Sequence, residues 1–239
     1  IAAGIYAPLD KSRLPHLSNI DPDLLAALDD VDPGNRYTVP YMWGTTGLGI
    51  NVDKVKQALG DDVALDSWDL LFNPGNAAKL AKCGISVLDD DQETFAAALI
   101  WLDEDPNSRD PVQIDQVKAV YAAIHRSIRY FNSSKYIDDL ANGDLCLAMG
   151  YSGDVLQARD RAEEAGNEVK IEYIIPKEGA VRWFDLIAIP KDAPHPDNAH
   201  AFIDFLLQPD VIAQITSYVG YANPNLAATA LLDPEIAND

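Results

Sequence analysis

The sequence predicts an α/β fold, because short apolar strands alternate with amphipathic helices along most of its length. The 239 residues are 48% hydrophobic and 23% charged, so the chain can bury a substantial core and does not have the composition of a disordered protein. This length suits one large domain or two lobes of ordinary size. No apolar run approaches the roughly 18 residues that a membrane-spanning helix needs.

The predicted strands are short apolar segments separated by helices or turns. They cover residues 38–41, 48–51, 85–88, 145–149, 169–175 and 184–189. Two interpretations remain open for residues 40–47, which are extended, aromatic and glycine-bearing. The segment is either a crossing between two lobes or an edge strand followed by a turn.

The predicted helices are marked by capping residues and by apolar residues at helical spacing. Ser67 is placed to cap one helix, Gly166 follows the end of another, and Pro209 opens the last. The helices are expected over residues 68–72, 93–102, 114–124, 155–165, 198–207 and 209–220.

The charge balance excludes two classes of partner. Lysine and arginine number 18 against 38 aspartate and glutamate residues, which gives a formal net charge of −20 and a pI of about 4.3. Nucleic acid and anionic membrane surfaces are therefore poor partners, whereas a cationic ligand is attracted. Charge alone leaves a second interpretation open, in which the acidic surface only keeps the protein soluble.

Acidic residues lie close to aromatic residues at several places in the sequence. Carboxylates accept hydrogen bonds from ammonium groups, and ring faces cover methylene groups and add cation–π attraction. The pattern therefore predicts a site for a small organic amine. The residues that carry this prediction are Asp90, Glu93, Tyr151, Asp154, Trp183 and Asp185.

Each acidic candidate has a structural alternative. Asp89 and Asp91 suit a solvated turn or a helix N-terminus, where acids oppose the helix dipole. Asp90 and Glu93 are three residues apart, so they share one face of a helical turn and can bind one ammonium group together. Asp185 enters an apolar strand, where a charge is costly unless it is paired. Its partner is either Arg182 or another base of the protein, or a ligand cation.

Motifs for catalysis and metal binding are weak. Residues 150–154 resemble a nucleophile elbow, but Asp154 occupies the position where that motif needs glycine. His195 and His200 are five residues apart and separated by proline, and the acidic run lacks the pattern of a calcium loop. We therefore expect no enzyme, metal or cofactor. A carboxylate-dependent hydrolase stays open as an alternative.

The two cysteines, Cys83 and Cys146, both lie in apolar segments. They suit either two buried thiols in a reducing compartment or one disulfide in an exported protein. Spacing alone does not decide between these.

Several longer motifs resemble the polyamine-binding periplasmic proteins of ABC importers, and the resemblance covers nearly the whole chain. It is closest to the putrescine- and spermidine-binding members. The motifs are YMWGTTG at 41–47, NVDKV at 51–55, YIDDLANGD at 136–144, IPKEGA at 175–180 and YAN at 221–223.

The resemblance implies a two-lobed, class II periplasmic-binding-protein fold with a ligand cleft that closes by a hinge motion. The first lobe is expected over 1–42 and 175–223, and the second over 43–174 and 224–239. The family has an N-terminal segment before Ile1 and a C-terminal tail after Asp239. We therefore expect a fragment whose first lobe is incomplete.

The resemblance also implies roles for individual residues. Asp90, Glu93 and Asp154 match acidic ligands, and Tyr151 replaces a tryptophan that covers the methylene chain. Trp183 and Asp185 match an aromatic–acid pair of the first lobe. Tyr221 matches a tyrosine of the ligand cleft. Cys83 and Cys146 match two positions that form a disulfide in similar proteins.

The expected function is that of a monomeric periplasmic receptor. It captures a polyamine, with putrescine as the first choice and spermidine as the second, and delivers it to an ABC permease in the inner membrane. A non-transport amine sensor on the same fold is the alternative. Nucleic acid is not an expected partner.

Overall fold

The computed structural model describes residues 1 and 3–232, and their contacts divide the chain into two compact units. The first unit comprises Ile1–Gly44 and the chain from Trp183 onward, and the second comprises Thr45–Arg182. The regular elements in chain order are α1 (Pro22–Ala27), β1 (Thr38–Asn51), α2 (Val52–Leu59), α3 (Asp69–Phe72), α4 (Pro74–Leu80), β2 (Ile85–Val87), α5 (Asp91–Trp101), α6 (Pro111–Ile124), β3 (Tyr130–Phe131), α7 (Tyr136–Ala141), β4 (Leu147–Tyr151), α8 (Ser152–Glu164), β5 (Ile171–Ile174), β6 (Val181–Ala188), α9 (Pro196–Leu206) and α10 (Pro209–Val219).

The sheet of the second unit is mixed, with strand order β3-β2-β4-β1-β5. β1 is antiparallel to both β4 and β5, and β2 is parallel to β3 and β4. β6 pairs with β1 outside this path. The predicted α/β class is thus confirmed.

One strand replaces the two that we predicted at 38–41 and 48–51, because β1 runs without a break from Thr38 to Asn51. Two of its glycines, Gly47 and Gly49, allow close packing and do not turn the chain. A Cβ atom at Gly47 would lie 2.4 Å from the Ile174 carbonyl oxygen of β5, and one at Gly49 would lie 2.8 Å from the Val155 side chain. The turn that we considered for residues 40–47 is therefore absent from this described segment.

Local sequence signals mark the ends of several helices. The Asn51 side chain accepts the Lys54 backbone N–H at the start of α2, and Asp110 accepts the Val112 N–H at the start of α6. α10 ends at Gly220, which adopts the left-handed conformation with φ 73°. A large apolar core, which includes the fully buried side chains of Trp68 and Tyr136, fills the second unit.

The first unit has two smaller cores. One contains Val39, Ile189 and Ile203, and the other joins Met42 to α10. The backbone N–H of Trp43 donates to the Ala222 carbonyl, so this part of β1 is tied to the residues that follow α10.

The unit boundaries differ from the lobe boundaries that we expected. Residues 175–182 belong to the second unit, where the Trp68 backbone N–H donates to Glu178 and the Trp68 indole N–H donates to the Gly179 carbonyl. Residues 224–232 belong to the first unit, where Ile20 forms a β-bridge with Asn225. The remainder of the expected 224–239 segment, residues 233–239, lies outside the described residues.

A disulfide joins Cys83 to Cys146 in the second unit, as the family resemblance implied. It links the turn after α4 to the residue directly before β4. Within the described residues, no helix is long and apolar enough to cross a membrane.

Candidate functional site

The junction of β4 and α8 positions two of the predicted ligand residues. Tyr151 is the last residue of β4, and Asp154 lies in the first turn of α8. A fully buried tyrosine holds this junction from α7. The Tyr136 hydroxyl donates to Asp154 Oδ2 at 2.8 Å and accepts the Tyr151 backbone N–H at 3.0 Å. Asp154 is thereby fixed at the end of the sheet.

The start of α5 positions the other two acids of the second unit. Asp90 is the N-cap residue, and its Oδ1 accepts the backbone N–H groups of Gln92 and Glu93. Glu93 follows in the first turn, where its side chain is half-buried. Asp89 and Asp91 are both exposed, which agrees with the solvated turn considered for them.

The electrostatics of Tyr151 show that these residues share one environment. Burial and, to a smaller extent, the charges of Asp90, Glu93 and Asp154 together raise the pKa of Tyr151 to about 12. The structure therefore brings together four residues that are up to 64 positions apart along the sequence. This acidic cluster (Asp90, Glu93, Tyr151 and Asp154) lies entirely in the second unit.

Glu93 is an acid of the acidic cluster whose pKa is changed by its surroundings. Burial raises its pKa, the Thr46 hydroxyl partly opposes the shift, and the negative charge of Asp90 adds to it. Glu93 Oε2 and Thr46 Oγ1 are buried, and neither has a hydrogen-bond partner of normal geometry. A buried carboxylate oxygen with unused acceptor capacity is suited to an ammonium donor.

Three residues around the acidic cluster were missed by sequence analysis: Tyr136, Thr46 and Tyr173. The Tyr173 hydroxyl lies 2.8 Å from Thr45 Oγ1, and the charge of Glu93 contributes to raising the pKa of Tyr173. The resemblance had drawn attention to the segments that contain Tyr136 and Thr46, but no local signal separates either residue from its neighbours.

The first unit holds the other three predicted ligand residues. The rings of Trp183 and Tyr221 make an edge-to-face contact with centroids 5.4 Å apart. Asp185 lies two residues beyond Trp183 on β6, and its charge raises the pKa of Tyr41, which burial already raises. Trp43 and Phe184 add a second ring pair, with centroids 6.4 Å apart.

The expectation that Asp185 enters a buried strand was wrong. β6 begins at Val181, so Asp185 lies inside the strand, and its side chain is exposed. The reason is that β6 pairs only with β1 among the described strands and is half-buried along most of its length. Partial desolvation alone raises the pKa of its carboxyl group.

Within the described residues, no cluster of three or more histidine, cysteine or acidic side chains could hold a metal ion. Ser152, the serine of the elbow-like motif, starts α8, and its Oγ accepts the Thr45 backbone N–H at 3.4 Å.

Comparison with known proteins defines the class. The whole chain, residues 1–239, matches the family model of bacterial extracellular solute-binding proteins. It is 50% identical to the putrescine-binding periplasmic protein SpuD of Pseudomonas aeruginosa strain UCBPP-PA14, over 100% of this chain and 65% of that protein. It is 49% identical to the putrescine-binding periplasmic protein PotF of Escherichia coli K12, over 99% of this chain and 64% of the relative.

A solved structure gives the same result. The spermidine/putrescine substrate-binding protein PotD of Streptococcus pneumoniae superposes with a TM-score of 0.80 at 29% identity, over 100% of this chain and 68% of that chain. The chain thus belongs to the bacterial extracellular solute-binding proteins, and the predicted family and fold are confirmed. It spans less than two thirds of the length of SpuD and PotF.

Proposed function

We propose that this chain is the ligand-binding part of a periplasmic receptor that captures a polyamine and delivers it to an ABC permease of the inner membrane. Putrescine is the first expected ligand and spermidine the second. The observation that carries the proposal is the acidic cluster, in which the charges of Asp90, Glu93 and Asp154 all act on Tyr151. The relatives at 50% and 49% identity are both named putrescine-binding periplasmic proteins, which supports putrescine as the first expected ligand.

The proposed binding mode follows from the chemistry of the two units. One ammonium group of the polyamine binds the acidic cluster, where Glu93 and Asp154 accept its N–H groups and Asp90 supports them. A second ammonium group binds Asp185. Trp183, Tyr221 and Tyr151 cover the methylene groups, and each cation–π contact contributes about 0.5–2 kcal/mol. An amine of the wrong length leaves one carboxylate without a cation, which gives chain-length selectivity.

Titration calorimetry of the full natural protein that carries this chain tests the proposal. Putrescine, cadaverine, spermidine and spermine are titrated separately at near-physiological salt. Saturable binding of one amine in preference to the others supports the receptor. Absence of binding to every amine overturns the polyamine proposal and leaves the family assignment in place.

Matched variants show whether the proposed acids bind the ligand. Asp185→Asn and Glu93→Gln remove a charge but keep the side-chain shape, and each is expected to weaken putrescine binding at least about tenfold. Asp89→Asn removes an equal charge from an exposed position near the acidic cluster and is expected to keep the affinity within about twofold.

No bond is broken in the proposed function. Chromatography after prolonged incubation is expected to return the amine unchanged, whereas a carboxylate-dependent hydrolase would convert its substrate. The receptor is expected to work as a monomer, and light scattering with and without putrescine measures this directly.

A further inference from the structure

We propose that Tyr136 is a positioning residue for amine binding, because its hydroxyl fixes the Asp154 carboxylate and the Tyr151 backbone in one arrangement. The inference rests on the proposed function, and it assigns a role to a side chain that lies behind the acidic cluster. Tyr136 is completely buried and is the first residue of α7.

The hydrogen bonds of Tyr136 define the arrangement. A tyrosine hydroxyl has one proton to donate and lone pairs to accept with. The proton goes to Asp154 Oδ2 at 2.8 Å, while the oxygen accepts the Tyr151 backbone N–H at 3.0 Å. One hydroxyl therefore connects the last residue of β4 to the first turn of α8. A displacement of this hydroxyl moves an acid and a ring of the acidic cluster together.

Close packing keeps the Tyr136 ring in place. A Cβ atom at Gly150 would lie 2.6 Å from Tyr136 Cε2 and 3.1 Å from the hydroxyl oxygen, so the ring lies directly against the strand backbone. Leu140 of α7 and Val155 of α8 both approach Gly49 of β1 within 3.0 Å of where its Cβ would be. α7 is thus held against the sheet, and the hydroxyl has little freedom to move away.

The energetic consequence is preorganisation. A side-chain carboxylate samples several rotamers unless a neighbour holds it, and a ligand that must order it loses affinity. Because Tyr136 already holds Oδ2, the Asp154 carboxylate is kept in one orientation. Loss of the hydroxyl is expected to speed dissociation of the amine more than it slows association.

The test begins with Tyr136→Phe, which keeps the ring packing against Gly150 and removes only the hydroxyl. The Kd for putrescine is expected to rise about tenfold, mostly through the dissociation rate. Tyr130→Phe is the matched control. The Tyr130 hydroxyl donates to the Asp139 carboxylate of the same helix, α7, at 2.7 Å, but it has no bond to Asp154. This control is expected to change the melting temperature and to leave the Kd within about twofold.

A double-mutant cycle separates positioning from a general loss of structure. In an Asp154→Ala background, Tyr136→Phe is expected to change the Kd by much less than about tenfold, because the carboxylate that it positions is gone and only its contact with the Tyr151 backbone remains. Gly150→Ala gives a second route, since the added methyl group pushes the ring and should weaken binding in the same direction. It also keeps the inference testable if Tyr136→Phe does not fold.

The outcomes distinguish this inference from the proposed function. If the natural protein binds no amine, the proposed function fails and this inference fails with it. If the natural protein binds putrescine and Tyr136→Phe binds equally well, only the role of Tyr136 is overturned. The role of Tyr136 is also overturned if Tyr136→Phe still weakens putrescine binding tenfold in the Asp154→Ala background. It is overturned as well if Tyr130→Phe weakens binding as much as Tyr136→Phe does.

Discussion

At the scale of single residues, we expect the burial of Glu93 to make putrescine binding depend on pH. Its pKa is raised by burial and by Asp90, so the ligand-free protein takes up a proton at Glu93 as the pH falls through that raised value. A neutral carboxyl group no longer attracts an ammonium group. We therefore expect the putrescine affinity to fall as the pH is lowered from about 7 to about 4.

The contribution of Glu93 to the free energy of unfolding should depend on pH in the opposite sense to the contribution of an ion-paired acid. Because the folded pKa of Glu93 lies above its ordinary value, the folded protein binds more protons, and its contribution to the free energy of unfolding declines as the pH rises through that pKa. In Glu93→Gln, the pH dependence of both binding and unfolding should be shallower. Glu163→Gln, at an exposed position of α8, should keep the natural profile.

The single residues also show how far sequence analysis reaches. Glu93, Tyr151 and Asp154 were predicted because acids near aromatic residues suit an amine, and the structure brings them together. Tyr136 was not predicted as part of the site, because an aromatic residue at the start of a helix is indistinguishable from a core residue in one sequence. Its role depends on a contact across 18 positions, which only the fold creates.

At the scale of elements, Asp90 has two roles that a pair of substitutions can separate. It caps α5 through Oδ1, and its charge acts on both Glu93 and Tyr151. Asp90→Asn keeps a capping oxygen and removes the charge, so it should weaken putrescine binding with little change in stability. Asp90→Ala should also lower the free energy of unfolding by about 1 kcal/mol.

Asp110 provides the matched control for this comparison, because it is an exposed N-cap acid on α6. Asp110→Ala should cost a similar free energy of unfolding, measured by urea denaturation, and should not change the amine affinity. Equal stability losses in Asp90→Asn and Asp90→Ala would contradict the capping role of the Asp90 oxygen.

The elements that sequence analysis placed correctly are those with strong local signals. Helices α5, α6 and α10 begin or end within a few residues of their predicted positions, because capping residues mark them. The two strands predicted at 38–41 and 48–51 proved to be one, because glycine marks close packing as well as turns. Whether a glycine allows close packing or forms a turn depends on neighbours that are distant in sequence, such as Ile174.

At the scale of the whole molecule, the disulfide is the main covalent constraint. Cys83 and Cys146 are 63 positions apart, and closing a loop of that length in the unfolded chain corresponds to about 4 kcal/mol in the chain-entropy model. We expect Cys83→Ala with Cys146→Ala to lower the free energy of unfolding by up to that amount. A reductant should destabilise the natural protein similarly and leave the double variant unchanged. A loss below about 1 kcal/mol would show that the bridge contributes little.

The net charge of −20 is a property of the whole chain, and we expect it to affect the association rate of the ligand. A field of this sign attracts cationic amines over a distance set by salt, about 30 Å at 0.01 M and about 10 Å at 0.1 M. Stopped-flow association of putrescine should therefore slow at least about threefold between these salt concentrations, while dissociation changes less. Spermidine carries a third positive charge, so its association should have a steeper salt dependence. If salt acted only on dissociation, the charge would serve solubility rather than capture, which is the alternative that composition alone left open.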